Sequence, residues 1–346
     1  MQLSDIIEGV ELSSSIGEQD PRIGKITFDS RQVEQGDLFV AIKGTEADGH
    51  QFIHQALQSG AAAVVCQEPM KEAVPGTPVI QVPDSRKALG QMASAFYGHP
   101  SQELSLVGVT GTNGKTTIAS LLHQMHILMG FRAGLLSTIQ VLVGEESHPA
   151  THTTPDPIQI NALLRMMVDQ GCEYCFMEVS SHAIDQERIA GLEFNGGIFT
   201  NLTRDHLDYH KDFGEYLTVK KRFFDSLPEE AFALVNRDDK HGKVMLQNCR
   251  AEHHFYSLHF LGDFRGKIKE MHLEGTSMEI NGREVWVKLP GRFNAENLLC
   301  AFGASVLLGH HTEDVLAALS ELNPVSGRFE TYRSGNGATA IVDYAH

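Results

Sequence analysis

Cysteine is scarce in this chain of 346 residues, which contains only five. Small secreted domains depend on dense disulfide frameworks, and five scattered cysteines do not form one. Cys172 and Cys175 have the spacing of half a zinc site or of a redox pair, but no second pair or histidine stands at metal-ligand spacing. We therefore expect reduced, buried thiols at all five positions: Cys66, Cys172, Cys175, Cys249 and Cys300.

Positive charge is also in short supply. The chain has 28 lysines and arginines against 44 aspartates and glutamates, and its formal net charge is −16. A nucleic acid needs a basic protein face, so we expect no nucleic-acid partner. A local basic site for a small phosphate ligand remains compatible with this balance.

Long apolar runs are missing too. No stretch approaches the roughly 20 apolar residues that a membrane-spanning helix needs. Residues 1–15 lack the basic segment and apolar core of a signal peptide. We expect a cytoplasmic protein with no membrane insertion.

Apolar strands alternate with amphipathic helices along most of the chain, which predicts an α/β fold of two or three domains. In the N-terminal part, strands at 36–42 and 61–66 flank a helix at 51–59. Glycine and proline in segment 98–101 indicate a domain boundary, because both interrupt helices and strands.

From residue 104 the alternation is more pronounced, and continuous apolar runs indicate a buried parallel sheet. The predicted strands are 104–109, 133–137, 174–179 and 195–201, with helices at 115–129, 157–169 and, more loosely, 294–321. Asn281-Gly282 predicts a hairpin between strands 267–280 and 284–289. Residues 339–344 read as a further strand.

A glycine-rich segment, GTNGKTT at residues 111–117, follows an apolar strand and opens a helix. In that context, backbone N–H groups and the helix N-terminus form an anion site. Lys115 adds a cation for phosphates, and the Thr116 or Thr117 hydroxyl can bind Mg²⁺. An ordinary phosphate loop would have glycine in place of Val109, which argues against a common GTPase or ATPase. The alternative is a glycine-rich turn with a surface lysine, but we expect an ATP or GTP site.

Three other segments carry polar residues at informative positions. Glu178 ends a buried strand, where a carboxylate can bind Mg²⁺, although a strand-end glutamate in solvent is the alternative. The segment NLTRDHLDYH, 201–210, follows another strand, and some of its histidines and aspartates should face the nucleotide or metal. Lys220 lies in a predicted helix, 216–224, whose alternative reading is a solvated basic face above Phe223 and Phe224.

These motifs together resemble the Mur ligase family, ATP-dependent enzymes that add amino acids to the peptide stem of the cell-wall precursor. The resemblance extends over nearly the whole chain. Besides GTNGKTT and NLTRDHLDYH, it includes DSRQVEQGDLFVAIKG, ADGHQFI, THTTPDP, EVSSH, GRFNAEN, SGRFE and DYAH. TTPDP and the SSH…DQER stretch favour the members that add the third residue of the stem.

The resemblance implies three domains. Residues 1–99 would form an α/β domain that binds the uridine nucleotide UDP-MurNAc, and 100–328 a central ATP-binding domain with a parallel sheet of the P-loop ATPase type. Residues 329–346 would begin a Rossmann-like domain, largely missing, that selects the amino acid. We therefore expect this chain to bind nucleotides and to be inactive as a ligase.

The resemblance also implies roles for individual residues. Lys115, Lys220 and His346 would act in catalysis. The Mg²⁺ ligands would be Thr116, Glu178, His206 and Lys220, the last as a carbamate derived from CO₂. ATP would be bound by Gly111, Thr112, Asn113, Gly114, Lys115, Thr116, Thr117, Asn294, Asn297, Arg328 and Asp343. The UDP-MurNAc-dipeptide would be bound by Ser30, Thr153, Thr154, Ser180, Gln186 and Arg188.

The implied reaction transfers the γ-phosphate of ATP to the D-glutamate carboxylate of UDP-MurNAc-L-Ala-D-Glu. The amine of a diamino acid then attacks the acyl phosphate. We expect meso-diaminopimelate in preference to L-lysine, because it is the commoner substrate of such ligases. The alternatives are the D-Ala-D-Ala-adding ligase, folylpolyglutamate synthetase and a non-catalytic nucleotide-binding module. We expect a monomer that acts on small molecules.

Overall fold

A computed structural model of the chain describes residues 1–44, 47–69, 76–144, 146–149, 153–204, 209–333 and 339–344. The chain divides into two compact units. The first comprises Met1–Glu103, Pro155–Met166 and Asp185–Leu192, and the second comprises Leu104–Thr154, Met167–Ile184 and Glu193–His346. The α/β fold class is confirmed, since both units are built on sheets with parallel strands flanked by helices.

The first unit contains a mostly parallel sheet. Its elements are α1 (Leu3–Ile6), β1 (Ser14–Ile16), β2 (Ile26–Thr27), β3 (Leu38–Val40), α2 (Ile53–Gln58), β4 (Ala63–Cys66), β5 (Val79–Gln81) and α3 (Ser85–Phe96). The strand order is β1-β5-β4-β3-β2, and β1 is the antiparallel member. Each face of this sheet has its own apolar core, which explains why β3 and β4 are apolar at consecutive positions.

The predicted elements of this unit are confirmed with shorter bounds. The predicted helix 51–59 begins at Ile53, because a 3₁₀ turn, Gly49–Phe52, precedes it. Asp48 caps that turn by accepting a hydrogen bond from the His50 backbone N–H.

The second unit has a larger sheet with helices packed against it. Its elements begin with β6 (Ser105–Thr110), α4 (Lys115–Leu128), β7 (Ala133–Leu136), β8 (Val141–Val143), β9 (Glu146–His148), α5 (Pro157–Asp169), β10 (Tyr174–Glu178), α6 (Ser181–Asp185), β11 (Gly196–Phe199) and α7 (Phe213–Asp225). They continue with β12 (Phe232–Asn236), α8 (Gly242–Met245), β13 (Glu252–Ser257), β14 (Phe264–His272), β15 (Gly275–Ile280), β16 (Arg283–Val287), α9 (Arg292–Leu307) and α10 (Thr312–Glu321). A separate hairpin, β17 (Glu330–Arg333) and β18 (Thr339–Val342), follows. Of the helices just named, most of α5 (residues 157–166) belongs to the first unit, and so does Asp185, the last residue of α6.

The strand order of the large sheet is β16-β15-β14-β13-β12-β11-β6-β10-β7-β8-β9. From β7 to β14 across the sheet, neighbouring strands are parallel, and the pairs at both edges are antiparallel. Helices α4 and α9 contribute Ile118, Leu122, Leu298 and Phe302 to the main apolar core, which includes Phe176 of β10. The strands at the centre are therefore buried on both faces, as their apolar runs predict.

One predicted strand, 267–280, is wrong. The structure divides it into β14 and β15, which pair antiparallel around a turn at Leu273-Glu274. Leucine and glutamate are poor turn signals, so the break is not visible in the sequence. Gly275 is required because a Cβ there would lie 2.3 Å from the Val287 carbonyl oxygen. The predicted turn at Asn281-Gly282 is confirmed, with φ of 47° and 83°.

All five cysteines are buried and free, as expected. Burial raises the pKa of the Cys66 thiol to about 11, which keeps it protonated and unreactive. Among the helices that the structure describes, none is both long and apolar enough to cross a bilayer.

Two histidines, the buried His126 and the half-buried His310, are in contact on one side of the large sheet. His126 of α4 packs against Tyr174 and Phe176, with ring centroids 4.6 Å apart in each case, and its Nε2 lies 3.1 Å from Nε2 of His310. Burial lowers the pKa of His126 to about 4 and also lowers the pKa of His310.

Candidate active site

The glycine-rich segment lies at the carboxyl edge of the large sheet. β6 ends at Thr110, and α4 begins at Lys115. The neighbouring strands β10 and β11 both run parallel to β6. In the observed register, Glu178 of β10 pairs with Val109, and Phe199 of β11 pairs with Thr110. Ligands of open α/β sheets bind at this edge, so the phosphate loop and Glu178 lie where a ligand is expected.

Two positions of the loop require glycine, because neighbouring atoms lie too close to leave room for a Cβ atom. A Cβ on Gly111 would lie 1.9 Å from Thr200 Oγ1. Gly114 has φ of +89°, and a Cβ there would lie 2.8 Å from Asn297 Oδ1. Both positions therefore exclude side chains for steric reasons, and Asn297, predicted to bind ATP, lies against the loop.

Lys115 is half-buried above the loop. Its Nζ donates to the carbonyl oxygens of Gly111 and Thr112 at 3.0 and 2.8 Å. The alternative of a turn with a surface lysine is therefore wrong. The first amides of α4 have no acceptors within the helix, so this helix end and the ammonium together suit an anion.

Thr116 and Thr117, in the first turn of α4, are buried. The Thr116 hydroxyl accepts a hydrogen bond from Arg328 Nη2 at 3.2 Å. Arg328 Nη1 also donates to the Tyr344 carbonyl oxygen at 3.4 Å. The structure thus joins two predicted ATP residues, Thr116 and Arg328, in one contact.

Lys220 of α7 is buried behind the loop, with 1% of its surface exposed. Its Nζ donates to the Gly111 carbonyl oxygen at 3.0 Å and lies 4.8 Å from the centre of the Tyr216 ring. The Tyr216 hydroxyl in turn lies 3.2 Å from Thr112 Oγ1. The alternative of a solvated basic face is therefore wrong for Lys220. The neighbouring Lys221 forms an ion pair with Asp225.

Glu178 is also buried, with 1% exposure. Its Oε1 accepts from the Thr138 backbone N–H at 2.7 Å, and its Oε2 accepts from the Thr138 hydroxyl at 3.1 Å. A strand-end glutamate in solvent is thereby excluded. Thr138 was missed by the sequence analysis, and only the neighbouring positions of β7 and β10 in the sheet could have indicated it.

Two residues predicted to bind the dipeptide, Thr154 and Ser180, are in contact beside Glu178. Thr154 Oγ1 donates to the Glu178 carbonyl oxygen at 2.9 Å and lies 3.3 Å from Ser180 Oγ. Ser180 Oγ accepts from the Ala183 backbone N–H at 3.1 Å. Thr153, the preceding residue, is half-buried.

The other predicted dipeptide residues belong to the first unit. Ser30 is buried, and its hydroxyl donates to Gln55 Oε1 at 3.5 Å. The Arg188 fork, expected to suit a carboxylate, holds Gln186 Oε1 through Nε at 3.1 Å and Nη2 at 2.7 Å. Glu187 between them has φ of +55°, a strained conformation of the kind that clusters at functional sites.

The remaining predicted residues are partly accounted for. Asn294 is buried and donates from Nδ2 to the Pro290 carbonyl oxygen at 2.7 Å, and Asn297 Nδ2 lies 3.5 Å from Asn294 Oδ1. Asp343 Oδ2 accepts from the Phe329 backbone N–H at 2.8 Å. His206 and His346 lie outside the described residues. Within the described ranges, no group of three or more His, Cys, Asp and Glu side chains could share a metal ion.

Comparisons with known proteins agree with this geometry. The family model of the Mur ligase middle domain matches residues 109–305, and that of the Mur ligase family catalytic domain matches residues 22–97.

Two relatives are similar over the whole chain. Both are named UDP-N-acetylmuramoyl-L-alanyl-D-glutamate–2,6-diaminopimelate ligase. The protein of Phocaeicola vulgatus is 54% identical, and the match covers 100% of this chain and 72% of the relative. The protein of Parabacteroides distasonis is 56% identical, and the match covers 100% of this chain and 71% of the relative.

Solved structures extend the comparison. A structure of an enzyme with the same name superposes with a TM-score of 0.84 at 27% identity, covering 100% of this chain and 71% of that one. MurF from Acinetobacter baumannii has a TM-score of 0.66 at 18% identity, covering 98% and 72%, and shares the fold.

Proposed function

The chain belongs to the Mur ligase family, and from this premise we propose that it is the ATP-dependent ligase that adds 2,6-diaminopimelate to UDP-MurNAc-L-Ala-D-Glu. The observation that carries the proposal is identity over the full chain. Relatives 51% to 56% identical over 100% of the chain are named as ligases for this amino acid. These names favour diaminopimelate over L-lysine as the added residue.

The loop geometry supports ATP as the phosphoryl donor. Lys115 and the amides at the start of α4 offer positive charge to the β- and γ-phosphates, and Arg328 adds a guanidinium beside Thr116. Asn297, which lies against the loop from α9, and Asn294, whose Oδ1 is 3.5 Å from Asn297 Nδ2, are our candidates for contacts near the adenine. Because ATP is the donor, we propose that the protein acts in the cytoplasm, as a monomer.

The donor set near the loop fits Mg²⁺. The Thr116 hydroxyl and the buried Glu178 carboxylate supply hard oxygen ligands, which Mg²⁺ prefers. Bound there with His206, the ion would neutralise charge on the phosphates. The Glu178 carboxylate is already oriented, because Thr138 donates a hydrogen bond to each of its oxygens.

We further propose that Lys220 is carbamylated. An ammonium buried next to the loop would repel Mg²⁺, whereas a carbamate is an anion with oxygen ligands. The carbamate forms when the neutral amine adds to CO₂ and releases a proton.

The chain's residues would then activate a carboxylate. Lys115 holds the transferring phosphate, and phosphorylation gives the D-glutamate carboxyl a leaving group. The amine of diaminopimelate displaces that phosphate to form the peptide bond. Asp343 and His346 would meet ATP when the domains close and exclude water from the acyl phosphate.

The domain assignment stays a proposal: 1–99 for UDP-MurNAc, 100–328 for ATP and 329–346 for the start of a third domain. The residues proposed to bind the UDP-MurNAc-dipeptide are Ser30, Gln186, Arg188, Thr153, Thr154 and Ser180. Thr154 and Ser180 contact each other beside Glu178, one of the residues that would hold Mg²⁺.

A phosphate-release assay of the full-length protein tests the function. UDP-MurNAc-L-Ala-D-Glu and Mg·ATP are combined in turn with meso-diaminopimelate, L-lysine or D-Ala-D-Ala. We expect rapid phosphate release only with meso-diaminopimelate. Release that depends on a UDP-MurNAc-tripeptide with D-Ala-D-Ala, or on a folate with glutamate, would assign the chain to another branch of the fold.

A further inference from the structure

The residues that follow β11 hold the phosphate loop by its backbone. The Asn201 carboxamide contacts both polar groups of the Asn113 backbone: Oδ1 accepts from Asn113 N–H at 3.0 Å, and Nδ2 donates to the Asn113 carbonyl oxygen at 3.2 Å. The Asn201 carbonyl oxygen accepts from Thr112 N–H at 2.8 Å. The Thr200 hydroxyl also donates to the Asn113 carbonyl oxygen, at 2.6 Å.

These contacts fix the direction of one peptide group. Two donors, Thr200 Oγ1 and Asn201 Nδ2, use both lone pairs of the Asn113 carbonyl oxygen and draw it towards the end of β11. An anion-binding loop requires N–H groups turned inwards and carbonyl oxygens turned away. A carbonyl facing a phosphate would repel it.

The held peptide is also the one most able to rotate. It joins Asn113 to Gly114, whose φ of +89° is accessible to glycine together with many other conformations. Glycine at position 114 therefore permits the tight turn but does not by itself fix the orientation of the Asn113–Gly114 peptide. The Asn201 carboxamide supplies the missing constraint from the segment that follows β11.

We propose that Asn201, assisted by Thr200, is a positioning residue that locks the Asn113–Gly114 peptide with its carbonyl turned to β11. The N–H of that peptide, on Gly114, and the amides of the first turn of α4 then stay directed at the polyphosphate. The inference rests on the proposed function, because it presupposes that the loop binds nucleotide phosphates.

Measurements of nucleotide affinity in variants of the chain distinguish this positioning role from a general contribution to stability. Dissociation constants for ADP and for adenosine are measured by titration calorimetry and ligand-observed NMR. The variants are Asn201→Ala, which removes the clamp, and Thr200→Val, which removes one donor at nearly constant shape. The matched control is Asn195→Ala, just before the other end of β11, where Oδ1 accepts from the Leu106 backbone N–H at 2.9 Å.

For Asn201→Ala we expect ADP binding about tenfold weaker, with adenosine affinity unchanged, because the Asn113 carbonyl oxygen is then held by Thr200 alone and the Asn113 N–H loses its acceptor. Thr200→Val should show a smaller loss of the same kind. Asn195→Ala should lower the melting temperature and keep the wild-type ratio of the adenosine and ADP constants.

The contrary results are distinct. A wild-type ratio in both Asn201→Ala and Thr200→Val would overturn the positioning role. Equal weakening of ADP in Asn195→Ala would also overturn it, since the effect would then follow stability alone. Absence of ADP binding by the unsubstituted chain would overturn the proposed function itself, and the inference with it.

Discussion

Arg328 donates a hydrogen bond to the hydroxyl of Thr116 at 3.2 Å, although the two residues are 212 positions apart. The guanidinium thereby reaches the first turn of the helix that follows the phosphate loop. Phe329, the next residue, has φ of +53°, which is unusual for a bulky side chain. Strain next to a loop contact supports a functional reason for this conformation.

Arg328→Met should therefore weaken nucleotide binding. The change removes a charge-assisted hydrogen bond and a cation next to the phosphates, so we expect ADP binding about tenfold to a hundredfold weaker. Titration of the chain with Mg·ADP measures this. Arg283→Met is the control, because Arg283 pairs with Glu313 on the surface and should leave the ADP constant unchanged. Equal ADP affinity in both variants would remove Arg328 from the site.

Lys220 and Lys221 are a matched pair of neighbours, because Lys220 is buried at the loop whereas Lys221 is partly buried and pairs with Asp225. Lys220→Met should reduce ligase activity of the full-length protein by at least about a hundredfold, since it removes the proposed carbamate. Lys221→Met loses only an ion pair with Asp225 and should retain activity.

The carbamate itself can be observed. In ¹³C-bicarbonate, the wild-type protein and Lys221→Met should both show a carbamate carbon signal that Lys220→Met lacks. A fully active wild-type protein without that signal would refute the modification while leaving Lys220 buried at the loop.

A comparison of Gly114→Ala with Gly130→Ala distinguishes backbone strain from a steric clash with a neighbouring side chain. Their φ values are +89° and +91°, so alanine at either position pays a similar left-handed penalty of about 1 kcal/mol. Only at Gly114 would the Cβ meet Asn297 Oδ1, at 2.8 Å, whereas nothing lies within 4 Å at Gly130. We expect Gly114→Ala to abolish ADP binding and Gly130→Ala to preserve it, as measured by calorimetry. Comparable ADP binding by the two variants would contradict the loop geometry.

Acid should destabilise the second unit through His126. Its folded pKa is lowered by burial to about 4, whereas an unfolded imidazole titrates near 6.5. Between these values the unfolded chain binds more protons, so stability is retained above about pH 6.5 and falls as the pH drops towards 4. The loss from this residue is up to about 3 kcal/mol.

Urea unfolding of wild type and His126→Leu at pH 7.5 and pH 5 measures that contribution. The variant should lose less stability than wild type on acidification. A stability difference between the two proteins that is the same at both pH values would show that His126 does not carry the effect.

Much of the fold is readable from local pattern. Helix α5 has the predicted bounds, and β6, the loop and α4 follow in the predicted order, because apolar periodicity and glycine spacing are local signals. The division of 267–280 was missed, since Leu273-Glu274 carries no turn signal.

The long-range contacts of the site were less predictable. A basic helix face is the ordinary reading for Lys220, and only the packing of α7 in the fold shows that this side chain is turned inwards to Gly111. The contacts of Thr138 with Glu178 and of Arg328 with Thr116 join segments far apart in the chain, so no spacing rule finds them. Motifs predicted which residues belong to the candidate site, and packing determines which of them touch.

Mass spectrometry of the nucleotide product tests the central claim most directly. The full-length protein is incubated with Mg·ATP, UDP-MurNAc-L-Ala-D-Glu and an equimolar mixture of meso-diaminopimelate and L-lysine. The account predicts one new species, UDP-MurNAc-tripeptide containing diaminopimelate, formed in step with ADP and phosphate. A product that contains lysine would contradict it. So would the absence of any product here, if a parallel incubation showed that the protein adds D-Ala-D-Ala to UDP-MurNAc-tripeptide.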